Sequence, residues 1–353
     1  MMSGKTKIEW ADRVWNPVVG CTPVSEGCRN CYAKSLHDMR HKAYLEGKEL
    51  PVQYAEPFDK VQLMNRRMGD PMGWKTPQRI FVNSVSDLFH PDVPISFLAN
   101  LFETMASWVL TCKEPYCDHA EKECWVRHTF MVLTKRPEQM HQAITEDIPG
   151  FVDQYFPGDY AMAMRGELDN WPLKNLWLGV SVEDQKTADE RIPWLLKTPA
   201  AVRFVSVEPM LGPVELRKIK GDHVNYNVLE RSRFDYGDDG FGVGAPMREG
   251  IDWVICGGES GLNGRVMDPL WPSALKNQCV EAGVPFFFKG WGEWAFWGGM
   301  MVKVGKERSG RVLDDKQWNE YPDGTGRQSL SRNKLGDAKP APFAPTSGKG
   351  SEL

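Results

Sequence analysis

Residues 176–209 open with Leu176-Trp-Leu-Gly-Val-Ser-Val182 and close with Val202-Arg-Phe-Val-Ser-Val207-Glu208-Pro209. Both runs are almost continuously apolar or β-branched, as strands of a parallel sheet covered on both faces are. Between them Ala188 to Leu196 follows a helical pattern. Strand, helix and strand in this order describe a right-handed βα crossover. The same grammar extends outward. Further strands are expected at Val14 to Val19, Ile80 to Val85, Phe130 to Leu133, Trp253 to Ile255 and Val284 to Phe288. Further helices are expected at Pro94 to Val109 and Trp271 to Ala282, the latter stopped by Gly283. About seven such units predict an α/β fold: a full or partial (βα) barrel of parallel strands with inserted loops. A doubly wound sheet is the alternative.

Composition places the chain among soluble proteins: 25% charged and 41% hydrophobic residues are ordinary for a globular domain. No apolar run is long enough to cross a bilayer. Met1 to Lys7 is polar and has no signal-peptide character, so a cytoplasmic protein is expected. The barrel domain is expected over 1–320, with inserts at 112–128 and 220–249 and a Pro-, Ser-, Gly- and Lys-rich disordered tail at 329–353. A net charge of −4 gives no global sign of nucleic-acid binding. A local groove built from Lys34, Arg40, Lys42, Arg66, Arg67 and Arg136 could still guide a phosphate backbone, although a solvated surface is the better account of most of them.

Eight cysteines without a secretory signal point to reduced thiols available to metal. Cys21, Cys28 and Cys31 fall in one loop directly after the first strand. Three soft thiolates suit a [4Fe–4S] cluster with one iron left open. The Cys28–Cys31 spacing suits zinc equally well, with His37 the nearby fourth ligand. The loop alone leaves cluster and zinc balanced. Cys112, Cys117 and Cys124, with His119 and His128 close by, form a second candidate zinc set. Chemistry in barrels of this kind sits at the C-terminal strand ends. Those ends carry Asn83, Ser84, Asp87, Lys135, Ser181, Glu183, Glu208, Glu259, Lys289 and Trp291.

Asn83-Ser-Val-Ser-Asp87-Leu-Phe-His-Pro91 and Val132-Leu-Thr-Lys135-Arg-Pro137 resemble segments of the spore-photoproduct-lyase-like branch of radical S-adenosylmethionine (SAM) enzymes. Six motifs in order resemble a phage-encoded, three-cysteine, radical-SAM-like family more closely. They are Trp15-Asn-Pro17, the cysteine loop, Leu178 to Glu183, Ser206 to Pro209, Gly257 to Ser260 and Phe287 to Trp294. The cysteine spacing here is C-x6-C-x2-C, where the superfamily commonly has C-x3-C-x2-C. The resemblance implies a radical-SAM-type barrel with a cluster on Cys21, Cys28 and Cys31. By charge and position, Lys135 suits the SAM carboxylate. Asn83, Ser84, Asp87, Ser181, Glu183 and Glu208 are further candidate contacts, each equally well explained as a hydrogen-bonded barrel-top residue without a ligand. Glu259, Lys289 and Trp291 would face the substrate. The implied activity is an isomerase step in phage DNA thymidine hypermodification, moving an amino-acid adduct from nitrogen to carbon so that viral DNA evades restriction. A modified pyrimidine in DNA is the implied partner, a flavodoxin or ferredoxin the electron donor, and the host cytoplasm the location. A radical SAM repair lyase or RNA-modifying enzyme, and a zinc-containing nucleic-acid-binding protein without catalysis, are the alternatives.

Overall fold

In the computed structural model, eight strands form one sheet in chain order. They are β1 (Gly4–Lys5), β2 (Arg13–Trp15), β3 (Arg79–Val82), β4 (Thr129–Thr134), β5 (Leu176–Val182), β6 (Val202–Val207), β7 (Trp253–Gly257) and β8 (Phe286–Gly290). β1 runs antiparallel to β2, and every other neighbouring pair is parallel. The strand order never reverses, so the chain lacks the switch point of a doubly wound sheet. The structure describes residues 4–107, 109–110, 126–155, 172–221, 225–230 and 250–322. Cys112, Cys117, Cys124 and His119, most of the 220–249 insert and the 329–353 tail lie outside them. The described residues up to Pro322 belong to one compact unit. Among the described residues no helix is long and apolar enough to cross a membrane.

Helices follow the strands: α1 (Tyr32–Leu45) after β2, α2 (Ile95–Ser107) after β3, and α3 (Pro137–Gln142) with α4 (Ile148–Tyr155) after β4. Then come α5 (Gln185–Lys197) after β5 and α6 (Leu270–Glu281) after β7. Several boundaries depart from the sequence reading for local reasons. The run Val14 to Val19 divides at Pro17, which has no N–H for a ladder, and Val18–Val19 pairs instead with Gln62–Leu63. The run Ile80 to Val85 stops at Val82 because Asn83 turns into the left-handed region at φ 59°. The helix expected to reach Val109 ends at Ser107, and Val109–Leu110 pairs with Val126–Arg127. α5 begins earlier than expected because Asp184 caps it. The Asp184 carboxylate accepts from the Thr187 N–H at 2.9 Å, and the Thr187 hydroxyl accepts from the Asp184 N–H at 3.1 Å.

Alternate strand residues face opposite ways. Ile80, Val82, Phe130, Val132, Leu178, Val180, Val205, Val254 and Phe286 pack beneath the helices. Phe81, Met131, Trp177, Phe204, Trp253, Ile255 and Phe287 fill the opposite face around Trp10. The Trp10 ring lies 4.6 Å from Phe81, 6.5 Å from Phe204 and 6.2 Å from Trp253. Gly179 stands opposite Phe204 in register, and a Cβ there would come within 2.5 Å of that ring. Each large aromatic buried on this floor contributes about 4–6 kcal/mol of apolar transfer energy before entropy is charged against it. Further along the same face, toward the C-terminal strand ends, Ser181, Ser206 and Lys289 replace the rings.

Candidate functional site

Cys21, Cys28 and Cys31 are free, partly buried thiols on the loop that leaves β2. The loop is wound tightly: the Cys28 N–H donates to Ser25 O at 2.9 Å and the Cys31 N–H to Cys28 O at 3.2 Å. Cys31 occupies the N-cap of α1, and its carbonyl accepts from the Ser35 N–H at 3.0 Å. Burial pushes the Cys21 thiol up to about 11, with Asp87 adding to the rise and Arg136 opposing it. Burial also raises Cys31, partly offset by the N–H groups of Lys34 and Ala33. Cys28 acts on both neighbours electrostatically, so the three thiols share one neighbourhood. Thiols raised in this way become thiolates when a cationic centre replaces the protons. Among the described residues, no three His, Cys, Asp or Glu side chains already surround one metal-sized point. His37, the expected fourth zinc ligand, is buried in α1, with Nε2 on Glu56 O at 2.9 Å and its ring against Tyr54 and Phe58. His128 is likewise committed, its ring nitrogens bonded to the Gln78 N–H and to Pro71 O.

Three anchors lay the cysteine loop across the strand ends. After β4, Arg136 donates to Thr22 O at 2.9 Å and Thr22 Oγ1 at 3.0 Å, and its Nη1 lies 3.6 Å from Cys21 Sγ. After β5, Glu183 accepts from Ser25 Oγ at 2.9 Å, and a Cβ on Gly27 would strike its carboxylate. After β7, Glu259 accepts from Asn30 Nδ2 at 2.9 Å and from Arg265, whose Nη2 reaches Glu26 O at 2.9 Å. Burial alone would raise the Glu259 pKa, but the bonds from Arg265 and Asn30 prevail and hold it below the usual carboxylate range. The Tyr32 hydroxyl adds a bond to Ser84 O after β3.

Each anchor is itself braced. Asp87 is buried and accepts from Thr134 Oγ1 (2.7 Å), the Lys135 N–H (3.0 Å), the Phe89 N–H (3.1 Å) and Arg136 (3.3 Å). Glu183 is 1% exposed and lies between Lys135 and Arg191, the latter at 3.1 Å. A carboxylate so buried is tolerated because two cations and a hydroxyl satisfy it. Beside this network Lys289 Nζ meets Glu208 at 2.9 Å, Ser206 Oγ donates to Glu208 at 3.1 Å, and Ser181 Oγ donates to the Glu208 carbonyl at 3.0 Å. Burial works against the Lys289 charge, yet Glu208 outweighs it and the pKa moves up.

The expected residues are thus brought together, in roles that differ among them. Asp87, Glu183 and Glu259 serve as braces and loop anchors. Asn83 accepts from the Val18 N–H through Oδ1, while its buried Nδ2 has no partner among the described residues; Ser84 Oγ donates to Asn16. Trp291, expected to face the substrate, is buried, lies edge-on to Phe288 at 5.1 Å and donates Nε1–H to Val312 O. Arg136 and Arg67, expected as surface guides for a backbone, are buried. Arg67 donates to Asn16 O and to Gln53. Sequence reading passed over Ser25, Asn30, Arg191 and Arg265. Ser25 and Asn30 gave no local signal because their partners lie 158 and 229 positions away, and the same holds for Arg265 on Glu26. Arg191 and Arg265 also pair with Glu183 and Glu259 nearby, but as single arginines in a helix and a loop they do not stand out.

A family model described as "Protein of unknown function (DUF5131)" matches residues 5–322. The chain belongs to the DUF5131 family. The DUF5131 match takes in the cysteine loop, all three anchors and every parallel strand. No curated protein and no solved structure matches the chain.

Proposed function

We propose that Cys21, Cys28 and Cys31 hold a [4Fe–4S] cluster and that the chain is a radical SAM enzyme. The observation that carries this reading is the open three-thiol loop, pinned by Arg136, Glu183 and Glu259 over the ends of β4, β5 and β7. The donor set fits: three soft sulfur ligands leave one iron of a cubane open, whereas structural zinc takes four ligands and His37 is engaged elsewhere. A curled, partial βα barrel is part of the same proposal. A flat sheet would set β3 and β7 about 19 Å apart at four strand spacings. Contact of one Trp10 ring with both Phe81 and Trp253 favours a sheet curled around it.

With SAM bound, the cluster would supply a 5′-deoxyadenosyl radical able to abstract a hydrogen from carbon. The protein's own part is binding and orientation. Lys135 can turn to the SAM carboxylate because Glu183 keeps Arg191 and Ser25 when it leaves. Asn83 offers its unpartnered Nδ2 as a further donor. Glu208, fixed by Ser206 and Lys289, offers an acceptor for an amino group or ribose hydroxyls. For the substrate we propose a modified pyrimidine in phage DNA, with a flavodoxin or ferredoxin as donor, in the host cytoplasm. Motif resemblance supports that choice, and a radical step suits a non-acidic C–H bond.

Anaerobic purification and reconstitution test the cofactor. A brown chain with about four irons, releasing 5′-deoxyadenosine from SAM under reduction, is expected. A colourless protein that keeps only zinc overturns the reading. Mass spectrometry of phage-DNA nucleosides with and without the gene tests the substrate, and an unchanged profile rejects hypermodification.

A further inference from the structure

A cavity of ≈ 330 Å³ lies between the ends of β7 and β8 and the N-terminal segment. Its wall carries four basic side chains, Lys7, Lys289, Lys306 and Arg311, against two acidic ones, Glu9 and Glu307. The whole chain has a net charge of −4, so this local excess of positive charge runs against the average. Two of the cations are matched within the protein. Lys289 Nζ is 2.9 Å from Glu208, and Lys306 Nζ is 3.5 Å from Glu9. Lys7 and Arg311 have no ion-pair partner among the described residues.

Arg311 is positioned without being neutralised. Its Nε and Nη2 donate to Phe288 O at 3.3 and 3.2 Å, Nη2 also donates to Asn319 Oδ1, and the guanidinium lies 4.9 Å over the Phe287 ring. Every one of these partners is uncharged. Burial pulls the Arg311 pKa down, and Glu9 and Tyr321 restore only part of it. A half-buried cation held rigidly by neutral groups gains most from an anion arriving from outside. The remaining wall is largely backbone of Gly258, Gly290, Gly292 and Gly310, which leaves the space open. That space is many times the ~30 Å³ share of one water, enough for more than a bare ion.

We propose that this cavity binds a phosphate ester, with Arg311 and Lys7 as its charge partners. Several cations converging on one space match a multiply charged tetrahedral group better than a single carboxylate, which one arginine fork satisfies. Among the described residues no cysteine lines the cavity, so the site stands whether or not Cys21, Cys28 and Cys31 hold a cluster.

Calorimetric titration of the full chain with thymidine 5′-monophosphate, thymidine and a short oligothymidylate tests this. A phosphate-bearing probe should bind, thymidine should not, and affinity should fall as salt rises. Arg311→Gln should weaken binding about tenfold or more. Lys7→Gln, at an exposed position that leaves the core untouched, should weaken it about threefold. Equal binding of monophosphate and oligonucleotide assigns the site to a free phosphate ester; much tighter binding of the oligonucleotide assigns it to a nucleic-acid backbone. Thymidine binding as well as its phosphate, or affinity unchanged in both variants, overturns the proposal.

Discussion

The sheet face around Trp10 has a floor and a rim made from the same strands. On the floor Phe204, Phe287 and Trp253 meet ring against ring around Trp10. Two residues further along, about 7 Å away, Ser206 donates a hydrogen bond to Glu208 and Lys289 forms a half-buried ion pair with it. The floor needs no charge to hold the strands together. The rim needs a rigid base, because each of its carboxylates is shared among partners from different strand ends. Separating the two lets packing bear the stability while polar groups set distances.

Substitutions can break that division of labour. The largest effect belongs to the rim. Cys21→Ala, Cys28→Ala or Cys31→Ala should each abolish iron binding and the associated absorbance, while thermal unfolding moves little; a large fall in melting temperature without iron loss would erase the distinction. On the floor, Trp253→Ala should cost about 3–5 kcal/mol in urea unfolding, with the iron content per folded chain unchanged. A loss of cluster from well-folded Trp253→Ala protein would mean that the floor also shapes the rim. Lys135→Met should weaken SAM binding about tenfold or more at constant iron content, read by equilibrium dialysis. The smallest change is expected from Arg136→Lys, which keeps the charge beside Asp87 but loses the fork that reaches both Thr22 and Cys21. Its cluster midpoint potential should fall by about 30–60 mV, against 59 mV for a tenfold one-electron change. An unchanged potential would make Arg136 a mechanical anchor alone.

The strands were legible because both faces are buried, which turns Leu176 to Val182 into an unbroken apolar run. For the same reason the run hides which residues face the helices and which face the floor. Interruptions were less visible. Asn83 ends β3 through its backbone conformation, and Asp184 caps α5 with a threonine three residues on, where the familiar pattern has an acid or amide. Strand-end residues such as Lys135 and Glu183 were legible as a set. Their pairing was not, nor was the burial of Arg136, which in sequence looks like any other base beside a lysine. The direction of a side chain depends on what folds over it.

The anchoring of the loop also bears on the order in which the protein is made. The three cysteines lie within the first 31 residues. Their last anchor, Arg265 on Glu26, is synthesised 239 residues later. In a nascent chain the thiols therefore emerge well before this anchor and are fixed only when β7 and the segment after it have docked. Whatever fills the loop meets thiols that are made long before their last anchor.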